Sequence, residues 1–317
     1  MRAVAVGAVV LYHAGLPVVP GGYVGVDIFF VISGFLITGQ LISMLQSRGR
    51  IPFGEFYAKR IRRILPASFA VLALTTVASL LVLPPSTRPG ALQDAIATAL
   101  YVPNVLFAAQ GADYLAETAP SPFQHYWSLG IEEQFYLFGP LILLLGFIMV
   151  RKSIKRLFWV VLAIVVVSLA LCVILTSDSQ PAAFFLLPTR AWELGVGALA
   201  AFALHARLIH LSGRGAAVGS WVGVAGIAVA LVVLNSGTVF PGWSALLPVL
   251  STAAIIVCGG SQPAGGAGDL LSRRPLQKIG AWSYSIYLVH WPLLVIPQAA
   301  LGYENPCRCP SPSPWVR

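Results

Sequence analysis

Apolar runs of about 20 residues recur along the whole chain, separated by short clusters of Lys and Arg, and that alternation leaves few possible folds. The runs read near 2–16, 22–45, 64–83, 126–150, 157–176, 184–204, 216–234, 243–258 and 284–302. A backbone crossing hydrocarbon has to satisfy its own N–H and C=O groups, so runs of this length predict helices. The expected fold is therefore all-α, a polytopic transmembrane bundle of about nine to ten spanning helices. With 57% hydrophobic and only 10% charged residues among 317, neither a soluble domain nor a single-anchor protein fits.

The charge pattern orients this bundle. The net charge of +9 sits in short basic segments at 48–63, 151–156, 207–214 and 273–278, which the positive-inside rule places on the cytoplasmic side. That is membrane orientation, so no nucleic-acid partner is expected. Segment 91–109 is apolar but interrupted by Asp94, Pro103 and Asn104. If it crossed fully, the first two basic segments would fall on opposite sides, so it is expected to lie in the interface or to re-enter. Cys172 and Cys258 lie inside apolar runs, and Cys307 and Cys309 lie in the tail without partner histidines. Neither a disulfide framework nor a metal site is expected. The domain reading is a membrane unit over 1–303 and an irregular tail over 304–317, whose composition suggests a truncated or frame-shifted end.

Several polar groups stand out against this background. Asp27 lies near the start of GYVGVDIFFVISGF, where a carboxylate in lipid costs about 2.5 to 3.5 kcal/mol unless it faces protein or water. Its bland reading is a cap on its own first turn. Gly22, Gly25, Gly34 and Gly39 offer small surfaces for close approach. Arg2 and His13 are eleven residues apart, so they share a helix face with roughly 16 Å between them. Arg2 suits a phosphate or acts as an orientation signal. His13 suits proton abstraction or is a satisfied interior ring.

In FYAKRIRRILP (56–66), Arg60 and Arg63 are one helical turn apart and could meet a polyanion together, although such runs are more often orientation signals. In HYWSLGIEEQFY (125–136), Ser128 and Glu132 could form a capping box. Glu132 and Glu133 diverge by about 100°, so at most one is expected to face the interior on the side of His125. Arg190 and Glu193 in PTRAWELGVG could neutralise one another as a buried pair. His290 in WSYSIYLVHWPLL is poorly explained by an aromatic interfacial belt.

Taken in order, the Arg2–His13 pair, GVDIFFVISGFLI, FYAKRIRRILPA, HYWSLGIEEQFY and SYSIYLVHWPLL resemble the membrane-bound acyltransferase 3 family, from Arg2 to about Leu294. The resemblance implies an O-acyltransferase of the cell membrane that uses acyl-CoA, commonly acetyl-CoA, from the cytoplasmic side. Its acceptor would be a hydroxyl of a cell-surface carbohydrate or related molecule. By motif matching, Arg2, Arg60 and Arg63 would hold the donor, with His13, Asp27 and Glu132 or Glu133 in catalysis. His13 would deprotonate the acceptor, and Asp27 would orient or charge the imidazole. The family's closing helix and the outer SGNH-type domain of many relatives are not found in this sequence. The rival reading is a proton-coupled transporter or flippase that uses the same intramembrane acids as a relay.

Overall fold

A computed structural model describes residues 1–115, 120–205, 213–260 and 264–301. It is all-helical among these residues, and seven segments are long and apolar enough to cross a membrane. They comprise α2 (Gly25–Arg48) with the 3-10 turn at Gly22–Val24 before it, α3 (Phe53–Val82), α6 (Tyr126–Met149), α7 (Ile154–Asp178), α10 (Gly213–Val233), α11 (Leu246–Gly259) with its preceding turn, and α13 (Arg274–Leu301). Two further predicted crossings are helical but atypical. The first helix, α1 (Arg2–His13), is only 12 residues long, about 18 Å. The other, α9 (Leu187–His205), carries Arg190 and Glu193 and follows the short α8 (Gln180–Phe185). Residue 12-long α4 (Arg88–Ala99), α5 (Pro103–Ala109) and α12 (Ala267–Leu271) complete the order. Large apolar side chains such as Leu81, Val167 and Val222 are exposed along the outside, as a surface solvated by lipid requires. The protein is thus a multi-pass membrane protein.

The predicted segment 91–109 is α4 and α5, neither of spanning length. Tyr101, at the break between them, adopts the left-handed conformation, and Pro103 starts α5. Protein covers this break. The buried Asn104 donates to the Phe185 carbonyl at 3.1 Å, while Gln134 of α6 donates to Asn104 Oδ1 at 2.9 Å and to the Tyr101 carbonyl at 3.2 Å.

Two of the expected basic loops are corrected. Residues 53–63 are the first turns of α3, and 274–278 are the first turns of α13, so the helices run past the apolar stretch. Lys and Arg are good helix formers whose long stems cover apolar surface while their heads reach water, so a charge cluster alone does not end a helix. The 207–212 part of the basic loop at 207–214, together with the tail from 302 onward, lies outside the described residues.

Close helix contact is set by glycine. A Cβ at Gly34 would meet the backbone of Leu194, and one at Gly197 would meet the backbone of Val31 and Phe35. α2 and α9 therefore press backbone to backbone through two small residues facing opposite ways. Gly22 and Gly25 likewise sit against the backbone of Ala8 and Ala5 in α1, which brings His13's helix beside α2.

Candidate functional site

Two faces of α2 do different work. Asp27, Val31 and Gly34 follow an i, i+4, i+7 spacing toward α9, while Val26, Phe29, Phe30 and Ser33 form the neighbouring stripe. On the first face, Arg190 Nη2 lies 3.2 Å from Asp27 Oδ1, and its Nη1 lies 2.6 Å from Glu193 Oε1; all three side chains are buried. The rings of Phe30, Trp127, Phe184 and Phe240 surround the guanidinium, each 5.4 to 5.7 Å from it. The predicted Arg190–Glu193 pair is present, with Asp27 as its third member. The N-cap position of α2 is Val24, and Asp27 lies within the first turn. The expected His13–Asp27 dyad is also corrected. Asp27 is committed to Arg190 across the α2–α9 seam, and the ring bonds of His13 run to α13 and to Tyr114.

The second face lines a narrow pocket of about 80 Å³. Arg2 of α1, Arg60 and Arg63 of α3, Ser128, Glu132, Glu133 and Tyr136 of α6, and Tyr284 and Tyr287 of α13 complete its wall. The three predicted donor-binding arginines thus converge from two helices. Helical spacing also sorts the basic run: Lys59 is spent on Glu55 at the surface, at 2.7 Å, while Arg60 and Arg63 turn to the pocket. Arg60 is held by Gln40 Oε1 at 2.9 Å and by the Phe56 and Tyr136 rings. None of the ion pairs among the described residues uses Arg2, Arg60 or Arg63.

Glu132 and Glu133 both line this pocket, contrary to the expectation that only one would face inward. The pocket lies where α6 faces α1, α3 and α13 together, a sector wide enough for two neighbours 100° apart. Glu132 accepts hydrogen bonds from Ser33 at 2.9 Å and Tyr136 at 3.1 Å. The predicted capping box is absent, because Ser128 instead meets the Tyr287 hydroxyl at 2.7 Å.

A buried histidine cluster lies beyond the pocket's inner end. Tyr287 donates to the His125 carbonyl at 3.0 Å, and one turn further along α13 His290 Nε2 is 2.9 Å from His13 Nδ1. The other nitrogen of His13 is 2.7 Å from the Tyr114 hydroxyl. Pro292 helps to build this cluster. Lacking an N–H, it leaves the Leu288 carbonyl without its usual helical donor, and His125 Nε2 supplies one at 3.0 Å. The sequence alone singled out His125 and His290 but gave no sign of Tyr114, which lies in an irregular segment.

A second cavity, of about 640 Å³, opens at the end of the bundle away from the arginines. Its polar lining is Asp94, Asp113, Gln110, Gln124, Ser86 and Thr87, over an apolar floor that includes Phe107 and Val295. It adjoins the histidines through chain neighbours, with Asp113 preceding Tyr114 and Gln124 preceding His125. Trp291 ties the two regions together, donating to the Ser121 carbonyl at 2.8 Å while its ring meets that of His13 edge-on at 4.5 Å. Burial holds the Asp94 carboxyl above the ordinary carboxylate range, opposed by hydrogen bonds from Ser121 and Gln110.

The bundle thus has a basic pocket at one end, a polar cavity at the other and buried histidines between them. Residues 1–315 match the acyltransferase 3 family, described as an acyltransferase domain, and the chain belongs to it. Among its relatives, the O-acetyltransferase OatA of Staphylococcus aureus (strain NCTC 8325 / PS 47) is 32% identical over 303 residues, covering 93% of this chain and 50% of that protein. The putative peptidoglycan O-acetyltransferase YrhL of Bacillus subtilis is 31% identical over 319 residues, covering 96% of this chain and 49% of that protein. The peptidoglycan O-acetyltransferase OatA of Listeria monocytogenes is 32% identical over 316 residues, with shares of 96% and 50%. The chain spans about half the length of these curated relatives. No solved structure matches it.

Proposed function

We propose that this chain acts in the cell membrane as an O-acetyltransferase, taking the acyl group from acetyl-CoA and passing it to a hydroxyl of a cell-wall carbohydrate. The observation that carries this reading is the convergence of Arg2, Arg60 and Arg63 on one narrow pocket whose polar lining leads through Tyr287 toward His13. The three arginines lie in the lining of this pocket of about 80 Å³. The phosphates of the donor would therefore stay with the forked guanidinium donors, while the thioester arm threads inward. The opposite cavity has carboxylates, amides and hydroxyls in the mixture that a polyhydroxyl sugar can satisfy.

In this reading, the acceptor hydroxyl takes the place now held by the Tyr114 hydroxyl beside His13 Nε2. His13 Nε2 accepts its proton, the acceptor oxygen bonds to the thioester carbonyl carbon, and the carbon–sulfur bond breaks to release the CoA thiolate. That thiolate can then take up the proton. Asp27 holds α2 against α9 through Arg190, and so sets the pocket wall formed by Val26, Phe29, Phe30 and Ser33. Glu132 fixes Ser33 and Tyr136 in that wall, and Glu133 faces the same space.

The test is transfer of radiolabel from acetyl-CoA to cell-wall glycan fragments by the purified protein. Ester-linked label that disappears in His13→Ala, by a factor of about 10² to 10⁴, is the expected result. Uptake or counterflow without ester formation would instead favour the transporter reading.

A further inference from the structure

We infer that His290 is a positioning residue that fixes the tautomer of His13, doing without charge what a carboxylate does in a catalytic triad. The inference rests on His13 being the proton acceptor, but its starting point is an accounting of hydrogens. A main-chain carbonyl can only accept. The His290 nitrogen 2.6 Å from the Tyr287 carbonyl oxygen, Nδ1, must therefore carry a hydrogen. In a neutral ring the other nitrogen then presents a lone pair, so His290 Nε2 accepts across the 2.9 Å contact with His13 Nδ1. His13 thus carries its hydrogen on Nδ1. Its own lone pair is on Nε2, aimed at the Tyr114 hydroxyl 2.7 Å away, on the side of the polar cavity. One carbonyl on α13 decides the state of both rings.

The geometry suits this role. The ring planes differ by 12° and their centroids are 5.2 Å apart, although the two nitrogens are only 2.9 Å apart. The rings therefore meet edge to edge, and the hydrogen bond lies in the plane of both lone-pair systems. His290 is buried, and its turn of α13 is fixed on three sides. Tyr287 bonds to Ser128 and to the His125 carbonyl, His125 bonds to the Leu288 carbonyl, and Trp291 bonds to the Ser121 carbonyl. When His13 gains the acceptor's proton, its Nδ1–H becomes a charged donor and the same bond to His290 strengthens. Without His290, the neutral His13 ring could move its hydrogen to Nε2 and present no lone pair to the acceptor.

The test combines turnover with a spectroscopic reading that does not depend on it. In full-length protein with ¹⁵N-labelled histidine, the His13 signals are identified by their loss in His13→Gln. Wild type should show a protonated, pyrrole-type Nδ1 and an unprotonated Nε2. His290→Ala should lower the maximal transfer rate by at least roughly 10- to 100-fold, the range seen when the hydrogen-bond partner orienting a metal-bound histidine is removed, with the donor KM little changed. His290→Gln, whose amide oxygen can still accept from His13 Nδ1–H, should recover most of that rate. A wild-type His13 protonated on Nε2 would overturn the inference even if both His290 variants misfold. So would full turnover in folded His290→Ala. Undiminished transfer by His13→Ala would instead remove the functional reading on which the inference rests, leaving the tautomer assignment to the NMR result.

Discussion

Replacing Arg190 should do far more damage than replacing Asp27, although the two form one ion pair. Asp27, Arg190 and Glu193 are buried together, one guanidinium against two carboxylates, inside a cage of aromatic rings. Arg190→Met leaves two carboxylates facing one another with no cation. Losing one partner of a buried pair costs about 3 to 5 kcal/mol. At about 1.4 kcal/mol per factor of ten, that is two to three and a half decades in the folded population. Asp27→Asn keeps the shape and an acceptor oxygen, and leaves one cation with one carboxylate. Its cost should be about 1 kcal/mol, the scale of a weakened hydrogen bond. Thermal challenge in detergent, followed by fluorescence-detected size exclusion, would compare the two at matched expression. Equal loss for both variants, or near-native behaviour of Arg190→Met, would refute this account of the cluster. Turnover separates it from the dyad reading. Folded Asp27→Asn should transfer acetyl groups within about a few-fold of wild type, whereas an Asp27 that charged His13 would make the same change cost orders of magnitude.

Other perturbations probe the two ends of the site. Arg60→Ala and Arg63→Ala should each raise the KM for acetyl-CoA by about 10- to 100-fold, the worth of a charged hydrogen bond, and leave the acceptor KM nearly unchanged in initial-rate kinetics. Because burial raises the Asp94 pKa in the folded protein, this residue favours folding below the ordinary carboxylate range and loses that contribution as pH rises through the shifted value. Asp94→Asn should therefore raise thermal stability at neutral pH relative to wild type, and the gain should shrink toward pH 4, as melting curves across that range would show. A gain that grew on acidification would contradict the sign.

Much of this architecture is legible in the sequence because lipid permits so few solutions. Each predicted crossing is helical, and the interruption by Asp94, Pro103 and Asn104 does break 91–109 into two short helices. The spacing of Arg60 and Arg63 likewise placed them on one face, and they do share a pocket. Partnership across the bundle was harder to read. Asp27 and His13 are neighbours in sequence through a tight connection, yet Asp27 meets Arg190 and His13 meets His290, 277 positions away. Those pairings depend on which helix faces which: the first follows from the backbone contacts at Gly34 and Gly197 between α2 and α9, and the second from α13 packing on α1, where Gly280 lies against Ala3 and Arg2. Ser128 shows the same difficulty. Local spacing made it a cap, and the fold gave it to Tyr287.

The central claim is that the donor is held at the arginine end while the acceptor is activated by His13 from the opposite end. Its most direct test is single-turnover transfer in vesicles of defined orientation, with radiolabelled acetyl-CoA confined to one face and glycan fragments confined to the other. The account predicts ester-linked label on the glycan only when acetyl-CoA is on the face carrying Arg2, Arg60 and Arg63, and none from that arrangement with His13→Ala. Equal labelling with acetyl-CoA on the opposite face, or transfer that persists in His13→Ala, would contradict it.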